Sequence, residues 1–296
     1  MSTGMRKSHK KQLMDTIKEG GVGFAFLVSA LVSVAAVILI SIFIFANGFS
    51  AIGKIGVADF LLGEKWKPAM GLFGIYPMII GSIYVTLGAV VIGAPIGIMT
   101  AVYLAEYCPK KIYPLFSGLI NLMAGIPSVL YGFFGLVVIV PLIRDNLNSQ
   151  GMSLLAASIL LGIMILPTIV AISQSSLKAV NPGYYEGSLA LGATHERSIF
   201  AVKMKAAGSG IISAVILGVG RAIGETMAVI MVAGNQAIIP KSVLEGVRTM
   251  TGNIVIEMGY ATDLHRQALL ATAAVLFVFI LLVNLAFSIF LRRSSQ

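Results

Sequence analysis

The sequence predicts an all-α membrane protein with six transmembrane helices, and three observations carry that expectation. Hydrophobic residues make up 57% of the 296 and charged residues only 11%, where soluble domains carry about a quarter charged. The mean hydropathy is +0.95. Apolar runs long enough to cross a hydrocarbon core, roughly 20 residues each, lie at 22–46, 76–104, 112–143, 152–173, 206–233 and 267–291.

A net charge of +9 would point to nucleic acid in a soluble chain. Here the cations lie between apolar runs, so no nucleic-acid partner is expected and they are counted loop by loop. With the N-terminus inside, the inner segments hold Arg6, Lys7, Lys10, Lys11, Lys18, Lys110, Lys111, Lys178, Arg197, Lys203, Lys205, Arg292 and Arg293. The outer loops hold Lys54, Lys65, Lys67, Arg144, Lys241, Arg248 and Arg266, and Arg221 alone falls within a span. This bias places both termini on the cytoplasmic side of the cell membrane. The expected organisation is a cytoplasmic segment 1–21, an anchor helix 22–46, an extracytoplasmic loop 47–75, a main transmembrane domain 76–291 containing a cytoplasmic loop 174–205, and a cytoplasmic end 292–296.

The first span follows a basic stretch, as a signal peptide would. Its run of about 25 apolar residues exceeds the roughly 7 to 15 of a signal core, so a retained anchor is expected. In the outer loop, Phe60, Leu61, Leu62, Trp66 and Tyr76 suit a segment lying among lipid headgroups, or a docking surface for an extracellular partner. Gly88, Gly93, Pro95 and Gly97 in the second span, and Gly125, Pro127 and Ser128 in the third, predict kinked or re-entrant helices. Pro127 frees a backbone carbonyl near Met123 and Ser128 offers a hydroxyl beside it, which suits either a plain kink or contact with a solute. Gly93 with Gly97, and Gly220 with Gly224, make small-residue faces for close helix approach, or serve kinks within the chain.

Enzyme chemistry finds no residues to carry it. His9, His195 and His265 stand in separate polar segments with no HExxH pattern, and Cys108 is the single cysteine, so neither a metal nor a cofactor is expected. The stretch "GNQAIIPKS", 234–242, puts Pro240 where a P-loop has its second glycine. The chain is therefore not expected to hydrolyse ATP alone.

Two features remain. In "GVGRAIGETMAV", Arg221 and Glu225 are four apart, so on a continuous helix they share one face and can pair. An arginine at a helix centre costs about 2.5–3.5 kcal/mol against lipid, so it should face the bundle interior or a water-filled cavity. The pair suits either a buried ion pair or an anion pathway in which Arg221 attracts, Glu225 holds the guanidinium at rest, and Thr226 and Ser128 contribute. The second feature is "NPGYYEGSLALGATHERSIFAVKMK", 181–205. Asn181 and Pro182 start a helix, Gly192 stops it, and Thr194 caps a second one carrying Ile199, Phe200 and Val202. Spacing alone allows an interfacial hairpin.

This loop also resembles the EAA loop of ABC-importer permeases. Glu186, Gly187 and Ser188 occupy the E-A-A places and Gly192 falls at the required interval. Val202 to Lys205 follow where the pattern has I-x-L-P, although Gly187 and Ser188 replace alanines and Lys205 replaces the proline. Residues 73–107, "GIPSVLYGFFGL" (125–136) and "GRAIGETMAV" (220–229) are similar to the phosphate-specific transport permeases, and the anchor and aromatic outer segment resemble their C subunit more than their A subunit. The resemblance implies a type I ABC importer permease fold and import of inorganic phosphate. It implies a heterodimer with a sister permease, two ATP-binding subunits seated on Glu186, Gly187, Ser188 and Gly192, and an extracytoplasmic phosphate-binding protein. Permeases for molybdate, tungstate or sulfate are the nearest alternatives. A gradient-driven anion carrier is opposed by the lack of a clear internal repeat and by Glu225 being the only acid within a span.

Overall fold

The computed structural model describes the backbone of residues 2–294 and the side chains of residues 22–289. The terminal segments expected at 1–21 and 292–296 lie outside the residues whose side chains are described. In chain order the elements are α1 (Ser2–Ile55), α2 (Val57–Leu62), the antiparallel strands β1 (Trp66–Lys67) and β2 (Leu72–Phe73), and α3 (Tyr76–Val102). There follow α4 (Tyr113–Gly125), α5 (Ser128–Phe134), α6 (Val140–Leu147), α7 (Leu154–Ala179), α8 (Pro182–Ala190), α9 (His195–Arg197) and α10 (Met204–Ala206). The last four are α11 (Gly208–Gly224), α12 (Met227–Val232), α13 (Met250–Glu257) and α14 (Asp263–Ser294). Wide π-helical turns at Tyr103–Tyr107, Gly135–Ile139 and Ser198–Lys203 extend or join neighbouring helices.

Among the described residues, five helical stretches are long and apolar enough to cross a membrane, and His195–Ala206 with Gly208–Gly224, bent by 69°, makes a sixth. The crossings define two ends of the bundle. The loop end carries residues 180–207, where Lys203 Nζ reaches the carboxylate of Glu106 at the end of the second span. The hairpin end carries β1, β2 and residues 233–262, where the N–H groups of Ser153 and Leu154 reach the carbonyls of Val232 and Glu245.

The centre of the bundle is α7, whose Leu160, Ile165 and Ile169 are fully buried. It packs along α3 because glycines open the surface between them: a Cβ on Gly93 would fall 2.6 Å from the Gly162 carbonyl oxygen, and one on Gly97 2.8 Å from Ile169. In a bilayer, where apolar contact alone gives helices little reason to associate, such close approach supplies the dispersion energy. The Gly93 and Gly97 face is therefore used within the chain. Nothing lies within 4 Å of a Cβ at Gly220 or Gly224, so that second small-residue face is open.

The expected interruptions fall in one span and not in another. Despite Pro95, α3 is continuous and runs on to Tyr107, because contact with α7 over its length holds the backbone in register. The third apolar run does break, at Ile126 and Pro127, both extended, where α4 has no buried residue to hold it, and the stretch long and apolar enough to cross is Ser128–Leu147, not 112–143. The anchor helix does not stop at residue 46 but continues to Ile55, its last turns packed on α14, with Gly48 against Ala271 and Ala274. Trp66 is not at a lipid headgroup surface: it is 7% exposed, stacked edge-on to Phe73, and donates Nε1–H to Glu257 Oε2 at 2.8 Å.

Gly93→Leu should force α3 and α7 apart and destabilise the detergent-extracted protein by about 1–3 kcal/mol. A thermal melt followed by size-exclusion chromatography reads this, and an unchanged midpoint would show that α3 does not depend on that approach.

Candidate functional site: a broken span and an exposed helix pair

Arg221 and Glu225 do not pair. The helix that would bring them onto one face ends at Gly224, and Glu225 is extended, with φ −71° and ψ 134°. Its carboxylate turns forward instead, where Oε1 accepts the N–H groups of Thr226 at 3.1 Å and Ala228 at 3.3 Å. These are two of the N–H groups that the start of α12 leaves without an intrahelical partner, so a carboxylate there is satisfied by charge-assisted bonds without a cation. Thr226 returns its hydroxyl to the Gly224 carbonyl at 3.3 Å. Arg221 is exposed at the last turn of α11, and its Nη1 reaches Thr168 Oγ1 on α7 at 3.4 Å.

The break in the third span lies alongside. Gly132 of α5 faces Ala228 and Met231 of α12, and three residues on Gly135 faces Val232. The two helices therefore run parallel, Gly132 beside Ala228 near the start of α12. Where Pro127 removes the N–H that would bond Met123, the carbonyl accepts the Tyr131 hydroxyl at 2.9 Å and, more weakly, the Ile126 N–H at 3.4 Å. The exposed Arg221 guanidinium and the interrupted starts of α5 and α12 are the polar features of this region. Gly125, Gly220 and Gly224 stand open there.

The loop end presents the second candidate site. Asn181 Oδ1 caps α8 by accepting Gly183 N–H at 2.9 Å, Gly192 takes φ +84°, and Thr194 Oγ1 accepts Arg197 N–H at 3.3 Å. The glycine turn and both caps are those expected from sequence. Glu186 and Gly187 are exposed, and Ser188 is half-buried, its hydroxyl bonded to the Tyr185 carbonyl at 2.8 Å. The bend toward α11 forms at Ala207 although Lys205 stands where the pattern has proline.

The pair of helices is fixed to the bundle at two points. The Tyr185 hydroxyl and His195 Nδ1 are 2.7 Å apart, with the His195 ring edge-on to Tyr107. Lys203 Nζ lies 2.8 Å from Glu106 Oε1 and donates to Oε2 at 3.0 Å. Sequence reasoning missed these contacts, and it missed Leu191, an apolar side chain 92% exposed beside the glycine turn. At the other end Glu257 gathers Trp66, Arg248 and His265. Burial, then the Glu257 charge, pushes the nearby Tyr260 phenol above its ordinary value, with Arg248 opposing.

A bundle of crossing helices with a polar break inside and an exposed helix pair at one end defines a membrane transport component. The chain belongs to the family of binding-protein-dependent transport system inner membrane components, whose profile matches residues 93–296. It is 39% identical over 266 residues to the probable ABC transporter permease protein YqgH of Bacillus subtilis, covering 86% of each chain. It is 34% identical to the probable phosphate transport system permease protein PstC of Methanocaldococcus jannaschii, over 86% of this chain and 88% of that one. To the phosphate transport system permease protein PstC of Haemophilus influenzae it is 30% identical over 100% of this chain and 99% of the other. Among solved structures, the MetNI methionine ABC transporter matches with a TM-score of 0.62 at 21% identity, over 78% of this chain and 100% of that one. A bacterial alginate ABC transporter matches at 0.60 and 16% identity, over 90% and 94%. The fold is that of a type I ABC importer permease.

Tyr131→Phe should leave the Met123 carbonyl with only the long bond from the Ile126 N–H and destabilise the protein by about 0.5–1.5 kcal/mol. A melting shift in nanodiscs measures it, and an unshifted midpoint would mean that the carbonyl finds another donor.

Proposed function

We propose that this chain is a membrane subunit of an ATP-driven importer of inorganic phosphate, with both termini cytoplasmic. It works as a heterodimer with a sister permease, above two ATP-binding subunits, and receives the anion from an extracytoplasmic phosphate-binding protein. One observation carries the pathway: Arg221 is exposed in the last turn of an apolar helix, next to the interruption before α12. A lipid-facing arginine costs about 2.5–3.5 kcal/mol, so the exposed Arg221 has to border water or a second subunit. The open glycines 125, 220 and 224 fit close approach of that subunit's helices.

The chemistry suits a tetrahedral oxyanion. The guanidinium is permanently protonated, and its planar fork matches two phosphate oxygens. Because Glu225 is occupied with the N–H groups of α12, it does not compete for Arg221, and its negative charge nearby opposes tight retention of the anion. Ser128 and Thr226 lie at the two helix starts as neutral partners. The names of the relatives in Methanocaldococcus and Haemophilus support phosphate as the solute.

At the loop end, Gly192 turns α8 back and leaves Leu191, Tyr184 and Glu186 outward. That short helix supplies an apolar knob with a charged rim, as a contact for a cytoplasmic ATPase requires. The 13 inner against 7 outer cations, named above, support a cytoplasmic position for this end.

The assembled complex, reconstituted with binding protein, should take up phosphate only with ATP inside and stop with vanadate. Uptake that persists without ATP would remove the importer reading. Arg221→Gln should lower uptake by about 10- to 100-fold with assembly retained. Glu225→Gln, which keeps an acceptor for α12, should impair it less. Equal loss in both would mean that the break, and not the cation, governs transport.

Gly192→Val places a β-branched residue at positive φ and should tilt α8. The complex should still form, while ATPase activity loses its response to loaded binding protein. Normal stimulation would sink the coupling assignment.

A further inference from the structure

The hairpin end is tied to the broken span by one short helix. α13 starts on the Thr249 cap, whose Oγ1 accepts Gly252 N–H at 3.1 Å. At this start the Thr251 hydroxyl donates to the Glu225 backbone carbonyl at 3.2 Å, and the Met250 N–H reaches Ser82 of α3 at 2.9 Å. At the other end Glu257 is 6% exposed. Its Oε1 takes Arg248 Nη1 at 2.7 Å, and its Oε2 takes Trp66 Nε1 and His265 Nε2, both at 2.8 Å. Arg248 is itself held by the Asn235 carbonyl at 2.9 Å and by Asn253, fully buried in the middle of α13, at 3.1 Å.

We propose that α13 is a strut that transmits contact on the β1–β2 hairpin to the Glu225 break, with Thr251 and Glu257 as its positioning residues. Three properties make it one. The hairpin is exposed where a partner would touch it, with Met70 71% and Leu72 42% exposed, yet it is rooted by the buried Trp66. Its root ends on a carboxylate held by three donors, so the hairpin cannot shift without moving Glu257. The helix between Thr251 and Glu257 is about 9 Å of continuous backbone, and its far end grips the carbonyl of the residue whose carboxylate starts α12. Moving that carbonyl turns the Glu225 peptide and loosens the bonds to Thr226 and Ala228. The partner is the solute-binding protein of the importer, so this role rests on the function proposed above, while the mechanical link is a property of the chain itself.

The test uses the full complex in nanodiscs and reads amide hydrogen exchange. Without binding protein, Trp66→Phe, which keeps the ring but removes the donor, should raise exchange at residues 225–228 by about fivefold or more. Thr251→Val should raise exchange at 66–73 in return, since coupling is reciprocal. No change in either direction overturns the strut, and the two variants approach it from opposite ends should one fail to assemble. With binding protein added, Thr251→Val should keep docking affinity and basal ATPase activity but lose about fivefold or more of the stimulated activity, with Thr251→Ser restoring it. Full stimulation in Thr251→Val would overturn the signalling role. A wild-type complex that moves no phosphate, while Trp66→Phe still raises exchange at 225–228, would remove the importer reading and leave the strut standing.

Discussion

Within a bilayer every backbone N–H and C=O must find a partner inside the protein, because no water is present to take its place. A helix that stops mid-membrane therefore exists only if side chains absorb its loose ends. Among the described residues the apolar helices are interrupted at Ile126–Pro127 and at Glu225–Thr226, and each interruption has its own solution. The Tyr131 hydroxyl takes the carbonyl that Pro127 strands, while the Glu225 carboxylate takes N–H groups at the start of α12. The rest of the site follows. α5 and α12 pack together with both interrupted ends satisfied, and Arg221 stands exposed nearby.

The same constraint explains the division of labour among the charges. An ion pair between Arg221 and Glu225 would neutralise both and make the span inert. With Glu225 engaged by backbone groups, one weak bond to Thr168 remains on the guanidinium among the described residues, and its other donors stay available to an anion. The glycines divide in the same way: those of α3 are consumed against α7, while Gly220 and Gly224 remain uncovered.

The sequence made the helical class, the six crossings and the loop-end turn legible, because each rests on local chemistry. Apolar length marks a span, Asn181 and Thr194 mark caps, and Gly192 marks a positive φ. The break after Gly224 was not legible. Four-residue spacing between opposite charges reads as a helical pair, and nothing local says that Glu225 prefers the N–H groups ahead of it to the cation behind. Pro95 and Pro127 make the same point, since each is a proline in an apolar run. Only contact with α7 keeps α3 whole, and that contact joins residues some 70 positions apart, such as Gly93 and Gly162. Trp66 was misplaced for a related reason. Its partner Glu257 lies 191 residues away, so an aromatic among polar residues looked interfacial when it is the root of a buried polar cluster.

The long-range contacts that escaped sequence reading are also those that join the two ends to the middle. Glu106 with Lys203 ties the helix pair to the second span, and Glu257 with Trp66 ties the hairpin to α13. Each places a carboxylate with 8–9% of its side chain exposed at the foot of an exposed element. Losing Lys203 leaves the Glu106 charge uncompensated, and losing the Trp66 donor leaves Glu257 a hydrogen bond short beside Arg248, so either separation costs more than a surface contact. Exposed elements held this way move with what they are bonded to or not at all. The bonds from Glu225 to α12 lie between those two ends, at the point where the helical backbone is interrupted.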